Sequence, residues 1–135
     1  MDYLFNMKDQ LEQISESLQK LKPDQMQSIA ALTTLGAAMA GYIAFTGHCK
    51  AKALRELQVA KKQAYRAVLA ELKEKGKEPA PSLVKDYVGT LCSDHEYVYA
   101  LAERTNAACT HTLDLIRSCL SALKEEMRTI NYQNG

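Results

Sequence analysis

Four cysteines, three histidines and a run of cations between Lys50 and Lys77 are the parts of this chain able to do chemistry. Cys92 and His95 stand at ligand-like spacing on a helix, and Cys109 and His111 follow. A tetrahedral zinc site needs two such pairs converging. Cys109 and His111 are two apart, which sends them to different helix faces. Cys92, Cys109 and Cys119 fit small apolar interior positions instead. No metal site is expected, for want of a close-paired Cys/His motif. His48–Cys49 is a nucleophile pair with no orienting acid nearby. The segment "GKEPAP" follows a helix, not a strand, and lacks the remaining residues of a phosphate-binding loop. The expectation is a non-enzyme with no catalytic residue and no cofactor.

The cations are the stronger signal. Residues 48–77 carry nine Lys or Arg (Lys50, Lys52, Arg55, Lys61, Lys62, Arg66, Lys73, Lys75, Lys77) against three Glu, a local charge of +6 in a chain of net charge +1. Charge is segregated, not absent. On a helix at about 100° per residue, Lys52, Arg55, Lys62, Arg66 and Lys73 fall within about 80° of arc. Ala53, Leu54, Leu57, Ala64, Tyr65, Val68 and Leu72 gather on the opposite side. Lys61 lies at the edge of that apolar face, where its stem can reach outward. A solvated Lys-rich face normally interleaves Glu at four-residue spacing, yet Glu56 is the only acid between Lys50 and Arg66. A line of cations on one face suits a phosphate backbone, because each neutralised phosphate releases condensed counterions. Lys52, Arg55, Lys61, Lys62 and Arg66 are the candidate nucleic-acid-binding residues. Tyr97 and Tyr99, two apart, cannot both face a core, so one is a candidate interface or base-stacking residue.

Helices must position these groups. At 135 residues the chain is one domain's worth. Leu4, Met7, Leu11, Ile14, Leu18 and Leu21 alternate spacings of three and four, an amphipathic helix within 1–22 stopped by Pro23. Asp24 is the expected N-cap of a long basic helix over 24–76, bent at Gly36, Gly41 or Gly47. Gly76 ends it, with Pro79 and Pro81 beyond. Ser82 opens a C-terminal assembly region over 82–130, and Ser93 with Glu96 has capping-box spacing, marking a break after Leu91. Val84, Val88, Leu91, His95, Val98, Ala102, Thr105, Cys109, Thr112, Ile116, Cys119 and Leu123 keep a four-three alternation, a coiled-coil-like seam. The tail "NYQNG" is expected to fray. The expected fold is all-α: one domain, 1–135, of long amphipathic helices in a hairpin or bundle that assembles as a homo-oligomer.

Gln25 to Cys49 holds no charged residue and is long enough to span a bilayer. Its strong apolar residues are only Ile29, Leu32, Leu35, Met39, Ile43 and Phe45, among Ala, Gly and Thr that insert poorly. The small residues have another use. Gly36 with Ala40, and Ala37 with Gly41, are small-xxx-small pairs that let helix backbones approach. Gly36, Ala40 and Gly41, with Leu101, Ile116, Leu120 and Leu123, are the candidate oligomer-interface residues, and no membrane partner is expected. Asp2, Lys8, Asp9 and Glu12 interrupt any secretory signal. Four cysteines then read as reduced thiols in a cytoplasm.

The segment "KALRELQVAKKQAYRAVLAEL" resembles the single-strand-DNA-binding segment of the phage recombination mediators of the UvsY family, with Lys61, Lys62, Arg66 and Gly76 at comparable places. "GTLCSDHEYVYALAERTNAACTHTLDLIRSCLSALKEEM" is similar to that family's C-terminal region, where a Ser/Asp-bearing break precedes a long assembly helix. The likeness covers about residues 41–127. Val68 stands where the family motif has a second basic residue, and the N-terminal helix has no counterpart. The resemblance implies a homo-oligomer, in the cytoplasm of a phage host, that binds single-stranded DNA. It would hold that strand for a RecA-like recombinase while displacing a single-strand-binding protein. Two rivals from other classes are a helical adaptor that meets an acidic protein partner and a small membrane-associated phage protein.

Overall fold

A computed structural model describes residues 2–134. The element order is α1 (Asp2–Gln19), a short 3-10 turn (Pro23–Met26), α2 (Ile29–Glu74), α3 (Pro81–Leu91) and α4 (Ser93–Asn134). No strand occurs among the described residues, so the all-α expectation holds.

Two long helices make the frame. Helix α2 has 46 residues, about 69 Å at ~1.5 Å per residue, and α4 has 42. Gly36 faces Ile116, Gly47 faces Asn106, Lys50 pairs with Glu103 and Lys61 with Glu96. Position rises on α2 as it falls on α4, so the pair is an antiparallel hairpin. The four-three seam of α4 supplies Val98, Ala102, Thr105, Cys109 and Ile116 to the interior, against Leu32, Met39, Thr46, Cys49 and Ala53 of α2. A seam of small residues needs a close partner, and α2 supplies one within the same chain.

Helix α1 lies along one half of this hairpin. Its Leu4, Met7 and Leu11 join Cys49, Ala53, Val98 and Ala102 in one apolar cluster. Ile14 enters a second with Leu32, Met39, Cys109 and Ile116. Helix α3 packs beside the other half of α2, burying Val84, while Leu57 and Val68 are buried on α2. Cys92, fully buried, is the one-residue joint between α3 and α4.

Three boundaries differ from the expected ones. Pro23 starts the 3-10 turn, with Gln25 Oε1 accepting from the Lys22 N–H at 2.9 Å. The N-cap of α2 is therefore Ser28, not Asp24, and its Oγ accepts from the Ala31 N–H at 3.0 Å. Pro81 occupies the first turn of α3, so the helix opens at Ala80 and not at Ser82. Helix α2 is continuous through Gly36, Gly41 and Gly47, and α4 runs past the expected 130 to Asn134, with Gly135 of the "NYQNG" tail outside the described residues. The stop at Gly76 is as expected. Its φ is +65°, the Lys77 N–H donates to Leu72 O at 2.9 Å, and the Gly76 N–H donates to Lys73 O at 3.1 Å. That pair of bonds satisfies carbonyls at the helix end.

Candidate nucleic-acid interface

The basic half of α2 leaves the shelter of α1 near Ala53. From there its outward face meets solvent, and its inward face meets α3 and the first turns of α4. The five cations singled out by sequence divide into two sets. Arg55, Lys62 and Arg66 are exposed and form no ion pair among the described residues. Lys52 and Lys61 are engaged within the chain. The Lys52 ammonium sits 3.6 Å from the centre of the Tyr3 ring, a cation–π contact that ties α1 to α2. Lys61 Nζ lies 3.2 Å from Glu96 Oε1, across the hairpin.

Lys61, Lys62 and Arg66 border an open groove of about 1270 Å³ between α2 and α3, with Glu96 of α4 also in its lining. Lys85 of α3 lies across from them, and Asp86 is the second acid of the wall. Four cations against two acids leave the lining at +2. Leu69, Pro79, Val84 and Val88 give it an apolar floor. Tyr65 is the surprise. Its helical angle assigned it to the apolar side, yet it is 51% exposed and forms part of the groove wall. Helix α3 covers the α2 face at Val68 but does not reach over the ring. Leu54, assigned to the same side, is also partly exposed. Neither Lys85 nor the exposure of Tyr65 was singled out from sequence. The run "KKQAYR" carried the signal, since at about 100° per residue Tyr65 lies at the edge of the apolar arc, about 40° from Lys61 and about 60° from Lys62.

The seven candidate interface residues separate as well. Ile116 is 0% exposed within the protomer, and a Cβ on Gly36 would lie 3.6 Å from Ile116 Cγ2. These two serve the hairpin's own core. Leu101, Leu120 and Leu123 are half-buried against the two clusters. Ala40 and Gly41 face outward, and a Cβ on Gly41 meets nothing within 4 Å. At the free end of α4, Met127, Ile130 and Tyr132 are exposed beyond the reach of α2.

All four cysteines are free thiols, and Cys49, Cys92 and Cys109 are buried. Burial pushes the Cys49 and Cys109 thiols above their ordinary pKa, with Lys52 drawing Cys49 partly back. Among the described residues no three His, Cys, Asp or Glu side chains come together as metal ligands would. Helix α2 is long and apolar enough to cross a membrane by length and composition, with mean hydropathy 1.5 over its most apolar 18 residues and 17% of that window buried. Ala and Gly dominate its outward face there. Compared with known protein families, curated proteins and solved structures, the chain matches none.

Proposed function

We propose that the protein binds single-stranded DNA through the basic half of α2 and acts, without catalysis, as a recombination mediator. The observation that carries the binding is the exposed, acid-free face of Arg55, Lys62 and Arg66, beside a groove lined by further cations. Side chains without an intramolecular partner keep their full charge for phosphates, and binding that is mostly phosphate contact is sequence-independent. Lys52 adds positive potential from its place over Tyr3, while the charge of Lys61 is offset by Glu96.

The mediator role rests on the sequence resemblance described above, with a RecA-like recombinase and a single-strand-binding protein as its protein partners. It requires several protomers. Each presents a moderate cationic face, and joining them multiplies weak contacts through effective concentration. Support for a homo-oligomer comes from α4, where Leu120 and Leu123 lie against the protomer's own core and Met127 and Ile130 continue their three-four spacing, exposed, past the end of α2. Ala40 and Gly41 offer a second smooth face on α2.

The test is single-stranded DNA binding across a range of salt, with solution mass measured in parallel. Lys62→Ala combined with Arg66→Ala is expected to weaken binding and lower the slope of log affinity against log salt by roughly 1.4 per protomer engaged. Both side chains are exposed, so fold and mass should stay unchanged. Unaltered affinity and slope would make the stripe a solvated face and favour an adaptor that meets an acidic protein.

A further inference from the structure

We infer that the groove between α2 and α3 is a pocket for unpaired bases, with Tyr65 as the stacking surface that makes the site prefer single strands. This rests on the single-strand-binding reading and adds to it a residue and a basis for discrimination.

Three observations converge on the groove. The first is the state of Tyr65, an aromatic ring half in solvent on the wall of a cavity. Its hydroxyl makes no hydrogen bond to protein among the described residues, whereas Tyr97 and Tyr99 hold Glu12 and Glu103. The second is its neighbourhood. Lys61 and Lys62 precede it by four and three residues, so their stems share its helix face at about 5–6 Å between Cβ atoms, and Arg66 follows it directly. Lys85 completes the cationic rim from α3. The third is room. The groove of about 1270 Å³ exceeds the ~300–1,000 Å³ that encloses a drug-sized ligand, and its floor of Leu69, Val84 and Val88 is apolar.

Flat, apolar, π-faced groups carried on a phosphate chain match this arrangement. Phosphates meet the rim cations while a base enters and lies against the ring. Stacking of that kind is tolerant of sequence, because every base has a π-face. A base within a duplex already has neighbours on both faces and cannot enter. The cations alone attract single and double strands alike, so the groove supplies what they lack.

Gly89 makes the idea separable from simple charge. It lies on the groove wall of α3, and a Cβ added there meets nothing within 4 Å. Gly89→Leu therefore narrows the groove from the α3 side without removing a cation or driving its Cβ into a neighbour, and its higher helix propensity supports α3.

The experiment measures binding of a labelled oligothymidylate and of a blunt duplex of equal length to the full-length protein at one fixed salt concentration. Polyglutamate serves as an unlabelled competitor, and circular dichroism checks each variant's fold. Tyr65→Ala and Gly89→Leu are each expected to weaken oligothymidylate binding roughly tenfold and to leave duplex binding unchanged. Tyr65→Phe, which keeps the ring, should recover the affinity that Tyr65→Ala loses. The chain has no Trp, so intrinsic emission comes from tyrosine, and the quenching on oligothymidylate binding should shrink in Tyr65→Phe. If Tyr65→Ala and Gly89→Leu bind oligothymidylate like the wild type while Lys62→Ala/Arg66→Ala does not, the phosphate-binding face stands and the base pocket is overturned. Equal losses for single strand and duplex also overturn it. Polyglutamate that competes as well as unlabelled oligothymidylate, in a manner abolished by Gly89→Leu, would assign the groove to acidic polypeptide. A wild type that binds no oligothymidylate ends both readings together.

Discussion

Between Ile29 and Ala53, helix α2 has α1 and α4 against it, whereas between Leu57 and Glu74 it has only short α3 and the start of α4. The first stretch is free of charge as far as Cys49 and buries Leu32, Met39, Thr46, Cys49 and Ala53. The second buries Leu57 and Val68 and carries cations on what is left. One continuous helix thus holds a packing half and a binding half. Two flanking helices cover more of the circumference than one, although Ala37, Ala40, Gly41 and Ala44 still face solvent, and the inward positions include Thr46, Cys49 and Ala53, where long side chains would force the backbones apart. With one short neighbour the arc widens, and Lys and Arg can stand on it without burying charge.

The largest expected contrast is in stability. Ile116 is 0% exposed and packs on the first half of α2, while Val84, also buried, lies on α3 beside the second half. Ile116→Ala should cost about 2–5 kcal/mol, the range for large-to-small core changes. Val84→Ala deletes fewer atoms beside an open groove, so its cost should be smaller. Denaturant midpoints of the two variants measure the contrast. Equal losses would mean that the two halves are packed alike.

Glycine positions sharpen the same comparison. Gly36→Leu pushes a branched side chain toward Ile116 Cγ2 and Leu113 Cδ1, at 3.6 and 4.0 Å from its Cβ. Overpacking of that kind costs about 1–3 kcal/mol. Gly41→Leu, only five residues on, has open space, so the protomer should melt no lower than the wild type. Any effect of Gly41→Leu would be on solution mass, and a fall in mass would locate an oligomer contact on that face.

Much of this contrast was legible before any coordinates. Leu4, Met7, Leu11 and Ile14 are all buried, as their spacing required. The α4 seam and the Gly76 stop follow equally local rules, a period and a left-handed turn. What stayed hidden depends on how distant segments meet. Ile116 of the seam was assigned to an oligomer interface, and α2 of the same chain covers it. Asn106 gives no local signal, yet its side-chain amide donates to Ile43 O at 3.1 Å and Thr46 Oγ1 at 3.0 Å, where Gly47 brings the helices close. Tyr65 read as apolar because a wheel cannot know that the groove between α2 and α3 leaves its ring half in solvent. For the candidate site, the helix and its cations were readable, and the groove was not.

The Asn106 bonds should be worth about 1–3 kcal/mol together, at ~0.5–1.5 kcal/mol for each net hydrogen bond. Asn106→Leu should lose that much by denaturant titration, since Ile43 O and the buried Thr46 hydroxyl lose a donor. Thr46 Oγ1 still donates to Tyr42 O at 2.7 Å, which limits the loss. An unchanged midpoint would show that the two helices keep register by apolar packing alone.

Thiol chemistry offers a gentler probe of the packing half. Cys49 and Cys109 lie in its two clusters, and burial raises both pKa values. In the native protein they should react with a thiol reagent only through opening, while half-buried Cys119 reacts first. The sign of the linked pH effect follows from the raised values. Below the thiols' ordinary pKa both states are protonated, and this contribution is fully present. As pH rises from there through the folded pKa, unfolded thiols ionise first and stability falls. Cys49→Ala with Cys109→Ala should flatten the alkaline fall of the denaturant midpoint.

The smallest effect on folding is expected in the binding half. The Lys61–Glu96 pair spans 3.2 Å, but its side chains are 48% and 47% exposed. Exposed pairs of that kind are worth about 0–1 kcal/mol, because water screens them and ordering two long side chains has an entropic cost. Lys61→Ala should therefore leave the denaturant midpoint almost unchanged. Glu96→Gln removes the same pair from the other side and frees the Lys61 ammonium at the groove rim. If rim cations hold phosphate, Glu96→Gln should tighten single-stranded DNA binding and steepen its salt dependence, while Lys61→Ala should do neither. Identical binding by both variants would show that Lys61 sits outside the ligand's path, leaving Lys62 and Arg66 as the cations of α2 that line it.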